Sequence, residues 1–157
     1  MKRSISRDDA GTSMVEFAFT APILIFLLIG LIELGRFAFF AILAASAARA
    51  GAQYGAQDLV TAFDTAGITN AAVQDGQNLP NWSPTNGGQV TVNQLCSVSG
   101  GALHSCASVE NSTTAPVNTV YYVQVQVTGQ FSSLLNYPGI PSSIPITGSA
   151  TIRIAQQ

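Results

Sequence analysis

The sequence predicts an α+β protein in which a long N-terminal helix with a transmembrane segment packs on a small antiparallel β-sheet. Three observations lead there. Phe17 to Ile32 is a run of 16 residues without a charged side chain, and Phe37 to Ala48 is a second of 12. After residue 88 the apolar residues take a period of two. Charge is scarce: 9% of the 157 residues, against roughly 25% in soluble globular proteins. Most of that charge precedes residue 50, and Lys and Arg are too sparse after Arg49 to neutralise a phosphate backbone, so nucleic-acid binding is not expected.

The first run reaches about 24 Å at 1.5 Å per residue, short of the roughly 30 Å hydrocarbon core, so the span draws on its flanks and covers about residues 15–40. A helix continuing to residue 57 is longer than a membrane needs, and the surplus implies a stalk or entry into a folded domain. Lys2, Arg3 and Arg7 precede the run and no positive cluster follows it, which places the N-terminus in the cytoplasm and the rest outside. Pro22 removes a backbone donor and crowds the Ala18 carbonyl, so a kink is expected there. Glu33 and Arg36, three apart, pair along one face, either as the boundary of the span or between subunits. Small residues follow: Gly30, Gly35, Ala41, Ala44, Ala45, Ala48, Gly51 and Gly55. They permit close helix approach, with Gly51-x-x-x-Gly55 in the small-xxx-small form, and they equally suit packing on the chain's own sheet.

Residues 58–157 form the exported α+β part. Asp64 caps a short helix through Ile68, Ala71 and Ala72 to Asp75, stopped by Gly76. Gln77 to Gly88 is a loop by its Pro, Asn and Gly content, and Trp82 within it is either a contact residue or a core plug. Gln89 to Leu95 alternates, with Val90 and Val92 on one face. Thr119 to Thr128 alternates Tyr121, Val123, Val125 and Val127 against Tyr122, Gln124, Gln126 and Thr128. Ile146 to Ala155 alternates Ile146, Ala150, Ile152 and Ile154 against Thr147, Ser149, Thr151 and Arg153. Each strand has one apolar face, so the sheet is covered on one side, and the C-terminal part of the long helix is the natural cover. Phe131 to Pro145 reads as a 15-residue connection, either a surface contact loop or a plain crossover.

Cys96 and Cys106 are the only cysteines, and both fall in the exported part, where a disulfide persists. The intervening segment is centred on Gly101, so a hairpin with its loop at Gly100 to Ala102 sets Cys96 opposite Cys106. The bridge reads as a structural staple. A metal role is not expected, because the spacing is not C-x-x-C and His104 is the only histidine. No G-x-S-x-G, H-E-x-x-H, Walker or G-x-G-x-x-G pattern occurs, and neither a catalytic residue nor a cofactor is expected. Asn81-Trp-Ser and Asn111-Ser-Thr match the glycosylation pattern.

The functional signal lies in Gly11-Thr-Ser-Met-Val-Glu16-Phe17. A glycine ends a basic, polar leader, and a glutamate stands five residues later at the head of an apolar helix. If a peptidase cuts after Gly11, the new Thr12 amine is a positive charge about one turn from Glu16. In an assembly of such helices, one subunit's carboxylate neutralises its neighbour's amine and sets axial register. The simpler reading of Glu16 is a carboxylate favoured near a helix start.

Arg7 to Gln57, with GTSMVEFAFTAPILIFLLIGLIELGRFAFF and the Ala-rich AlaAlaArgAlaGlyAlaGln, resembles the TadE-like pseudopilins of the tight-adherence (Flp-type) pilus system. Weaker similarity continues through TyrTyrValGlnValGlnValThrGlyGlnPhe, the segment around Pro138 and the terminal AlaThrIleArgIle. The resemblance implies a pilin-like fold and a leader of residues 1–11, removed by a prepilin peptidase between Gly11 and Thr12. Residues 12–57 are then the mature helix, with Glu16 and Phe17 in the recognition and assembly signature. Thr12 stands where many type IV pilins carry a large apolar residue. The implied setting is the bacterial inner membrane, single-pass, with the C-terminal domain periplasmic or extracellular. The implied partners are other pilins or pseudopilins, the inner-membrane assembly platform and membrane lipid. The implied role is assembly or priming of a pilus used for attachment, biofilm formation or secretion. The alternative is a secreted or signal-anchored binding domain. Ala45-Ser-Ala47 has the small-x-small form of a signal-peptide site, but Glu33 and Arg36 interrupt the apolar region and the leader exceeds the usual 15 to 30 residues.

Overall fold

A computed structural model describes residues 8–79, 88–106, 118–134 and 142–155. The chain divides into two compact units, Met1–Phe37 and Ala38–Gln157. One helix, α1 (Asp8–Gly55), supplies all the described structure of the first unit and the opening of the second. It continues through Pro22 without interruption and starts four residues before the expected mature terminus.

In the second unit, α1 is followed by α2 (Leu59–Phe63), α3 (Thr65–Asp75), a 3-10 turn (Gly76–Asn78), β1 (Gln89–Val98), β2 (His104–Ser105), β3 (Thr119–Ser132) and β4 (Ser143–Arg153). The sheet is antiparallel in the order β2-β1-β3-β4. Its apolar face holds Val123, Val125, Val127, Phe131 and Ile146, with Val90, Val92, Ala150 and Ile152 around them. These pack on Ala44, Ala47, Ala48 and Ala52 of α1 and on Ile68 and Ala72 of α3. The one-sided pattern read from the sequence is the pattern found.

Small residues set how closely α1 lies on the sheet. A Cβ at Gly51 would press on Ala72, the Ile68 carbonyl and Val125, and one at Gly55 on Ile68 and Val123. At Gly148 it would meet the α1 backbone at Ala44 and Ala45. Gly51-x-x-x-Gly55 is therefore used inside the domain, against α3 and β3. Gly30 and Gly35 have open space where a Cβ would stand.

The capping expectation at Asp64 holds: its carboxylate accepts from the Gly67 N–H at 2.9 Å, and α3 ends at Asp75. Gly76 stops it without a left-handed turn, at φ −81°, and leads into the 3-10 turn. Trp82 lies outside the described residues, as do the glycosylation-pattern asparagines Asn81 and Asn111 and the segment around Pro138.

One helix is additional and two expectations are corrected. α2, not anticipated, is nucleated by Asp58, which accepts from the Thr61 N–H at 2.7 Å while the Thr61 hydroxyl accepts from the Asp58 N–H at 3.1 Å. The Phe131 to Pro145 connection is shorter than its prolines implied, because Phe131 and Ser132 continue β3, and Ser143 to Pro145 open β4. Pro145 is tolerated because β4 is an edge strand, where a missing donor breaks no interior ladder. The hairpin register is also different: Cys96 pairs with His104, not Cys106. Ser99 (φ 50°) and Gly100 (φ 77°) take the two left-handed positions and the Gly101 N–H bonds the Val98 carbonyl at 3.0 Å, so the turn is centred one residue earlier. Cys106 lies just past β2 and is disulfide-bonded to Cys96 with Cα atoms 5.0 Å apart, both sulfurs buried.

Candidate functional site

Gly11, Thr12, Glu16 and Phe17 all lie on exposed helix in the first unit. Four residues bring Glu16 just over one turn beyond Thr12, so the two share a helix face. Among the described residues no hydrogen bond or ion pair engages the Glu16 carboxylate. Its backbone carbonyl accepts from the Thr20 hydroxyl at 3.1 Å, and that of Phe17 from the same hydroxyl at 3.3 Å. Thr20 thus hides its polar atom against its own helix, which suits a residue inside an apolar span.

From Met14 to Leu34 the large apolar side chains are exposed on every side of α1. A helix that is apolar all round has no single face to bury in a soluble core and matches surroundings that are apolar all round. This helix is long and apolar enough to cross a membrane.

Near the end of the unit, Arg36 Nη1 donates to Glu33 Oε2 at 2.8 Å, with the side chains 31% and 19% exposed. The spacing read from the sequence is realised within one helix. Each charge screens the other, which lowers the cost of holding both beside an apolar run.

In the second unit, polar chemistry gathers where α1 ends. Tyr54 Oη donates to Asp64 Oδ2 at 2.9 Å, so Asp64 both caps α3 and ties it to α1. The Gly67 N–H, with help from the Tyr54 hydroxyl, holds the Asp64 carboxyl below the usual carboxylate range. The Thr61 N–H does the same for Asp58. The sequence contained the signal for Asp58, an acid at the cap with Thr61 three residues on, but contained none for the Tyr54 contact, which depends on how α3 folds back. His104 is exposed on β2 and the buried disulfide lies beside it in the ladder. Among the described residues no group of three or more His, Cys, Asp or Glu is placed to hold a metal ion. These groups cap and tie helices; the exposed first unit carries Glu16 and the Glu33–Arg36 pair.

Residues 11–53 match the family model described as TadE-like protein. The match opens at Gly11, takes in Glu16, Glu33 and Arg36, and ends within α1, before the sheet begins. The resemblance read from the residues is thus borne out over the helix. No curated protein and no solved structure matches the chain.

Proposed function

With residues 11–53 TadE-like, we propose that the chain is a membrane-anchored minor pilin, or pseudopilin, that takes part in assembling or priming a tight-adherence pilus. The role is structural and not catalytic. α1 anchors it in the bacterial inner membrane with Lys2, Arg3 and Arg7 on the cytoplasmic side and the sheet domain outside. A prepilin peptidase removes residues 1–11, and the partners are other pilins or pseudopilins, the assembly platform in the membrane and lipid.

The observation that carries the proposal is the Glu16 carboxylate, exposed at the head of an apolar helix and without a partner among the described residues. A carboxylate there is costly in lipid and gains from an opposite charge. Cleavage after Gly11 creates one at Thr12. Within one helix this amine lies at the start, where dipole and charge already favour a carboxylate. Between helices, the pair fixes the axial position of apolar rods that would otherwise slide.

The test is Glu16→Gln in the full chain, in cells that assemble the pilus. The expected result is normal insertion and processing with loss of incorporation or of pilus number. Wild-type assembly in that variant contradicts the register role.

A further inference from the structure

The two outer edges of the sheet in the second unit differ. Backbone N–H and C=O groups alternate sides along an antiparallel strand, so one bond fixes the parity of a whole strand. The Ser99 N–H bonds the Asn118 carbonyl at 3.2 Å, in register with the β1–β3 ladder. Thr91, Asn93 and Leu95 therefore aim their backbone groups at β3, and Val90, Val92 and Gln94 aim theirs outward. β2 fills this outer lane only opposite Leu95 and Cys96. Continued in that register, Cys106 would stand opposite Gln94, about 7 to 8 Å diagonally from Cys96. The two Cα atoms are 5.0 Å apart, so the disulfide draws Cys106 out of the lane. Among the described residues, nothing hydrogen-bonds the backbone N–H of Val90, Val92 or Gln94, or the C=O of Val90 or Val92. Beside this stretch lies a groove of about 250 Å³, walled by Phe63 of α2, floored by Val92 to Leu95 and ended by Ser105 and Cys106. Phe63 is 55% exposed. Gln94 Nε2 donates to the Ala62 carbonyl at 3.1 Å, which holds α2 on the side of β1 that carries Val90 and Val92. On β4, the Ser133 N–H bond to the Ser142 carbonyl sets the parity and turns Pro145 and Arg153 outward. A missing donor and a charge both discourage a further strand, and β1 from Gln89 to Gln94 carries neither.

We infer that β1, from Val90 to Gln94, accepts an added strand: an extended segment of a partner polypeptide that runs in the lane β2 leaves open. The occupant is a peptide because the edge offers a row of backbone donors and acceptors at strand spacing. Another extended backbone matches such a row group for group. The open row is about 17 Å long at 3.4 Å per residue, room for a five-residue segment. Side chains opposite Val90 and Val92 fall on the side of Phe63 and are apolar. Those opposite Thr91 and Asn93 fall on the polar open face of the sheet. The partner segment therefore has an apolar residue at every second position. The β4 edge of a second copy fits the lane poorly, because it presents Pro145 and Arg153. It also brings its own cover, since the α1 backbone at Ala44 and Ala45 stands directly on Gly148, and α2 already occupies that side of β1. The partner is thus a tail or loop of another protein, with no helix packed over it. The inference concerns the second unit alone and stands apart from the proposed span and cleavage.

The experiment follows amide hydrogen exchange by NMR in the full, detergent-solubilised chain, with and without the synthetic peptide Ser-Val-Thr-Val-Ser-Val-Lys. In the free chain the amides of Val90 and Val92 should exchange fast while those of Thr91 and Asn93, bonded to β3, are protected. The peptide should slow exchange at Val90, Val92 and Gln94. Two further peptides, N-methylated on alternate residues, separate backbone pairing from apolar contact. The one whose methyl groups face β1 should bind about tenfold or more weakly, and the other like the parent. Equal affinity of the two methylated peptides, or no slowing at Val90 and Val92 with the parent, overturns the added strand. Protection of Val90 and Val92 in the free chain overturns it as well: independent of concentration, it means that the chain fills its own lane, and rising with concentration, that a second copy does.

Discussion

At the scale of single residues, the positions that matter most are those where backbone or charge leaves no alternative. Gly148 is one, since the α1 backbone at Ala44 and Ala45 occupies the place of its missing Cβ. Gly148→Ala should destabilise the sheet domain by about 1 to 3 kcal/mol, the usual cost of overpacking, in denaturant unfolding of the detergent-solubilised chain. Gly129→Ala, in the same sheet with open space at its Cβ, is the control and should change little. Asp64 is another. Its folded-state pKa is depressed by the Gly67 N–H and the Tyr54 hydroxyl, so its contribution is present above the ordinary carboxylate pKa and is lost as pH falls through the depressed value. Asp58 acts in the same direction. Stability measured against pH should therefore fall on acidification in that window. Asp64→Asn, which keeps a capping oxygen without the titration, should flatten the fall; an unchanged profile contradicts the assignment.

At the scale of elements, the hairpin depends on its staple. β2 pairs with β1 at only two positions, Leu95 with Ser105 and Cys96 with His104. Closing so short a loop contributes about 2.5 to 3 kcal/mol by the chain-entropy estimate. The Cys96→Ser/Cys106→Ser pair should lose about that much, with hydrogen-exchange protection lost first at Leu95, Cys96 and Ser105. Unaltered protection at these amides contradicts a structural role. The strands were legible because burial on one face forces a period of two, which Val123, Val125 and Val127 keep without exception. α3 was legible through Asp64. The extents of β3 and β4 were not, since Gly129 and Pro145 read locally as breakers while the ladder between Gln130 and Pro145 overrides them. The turn register was misread because left-handed φ falls on Ser99 and Gly100, a choice that the two adjacent glycines obscured. The use of Gly51, Gly55 and Gly148 was also beyond the sequence, because the need for glycine lies in the element packed against it.

At the scale of the whole molecule, the distribution of charge separates the two units' tasks. Residues 1–9 hold Lys2, Arg3, Arg7, Asp8 and Asp9, and the rest of the chain holds only nine further charged side chains. The sheet's open face is polar but uncharged apart from Arg153, with Asn93 donating to Gln124 at 3.3 Å and Gln124 to Thr151 at 3.4 Å across three strands. In the first unit the large apolar side chains from Met14 to Leu34 are exposed on every side of α1. The proposed orientation rests on Lys2, Arg3 and Arg7. A periplasm-active phosphatase fused after Gln157 should be active, and replacing all three basic residues by Glu should diminish its activity several-fold. Equal activity in both fusions contradicts the orientation argument. Within the first unit, Glu16 was legible in the sequence because almost nothing near it is charged, and the proposed partner, the Thr12 amine, follows from the proposed cleavage after Gly11. The central claim therefore reduces to one bond. Mass-spectrometric sequencing of the mature N-terminus, in cells that carry the prepilin peptidase, should give Thr-Ser-Met-Val-Glu from Thr12. A chain that retains Met1, or one that begins at Ala48, contradicts the account.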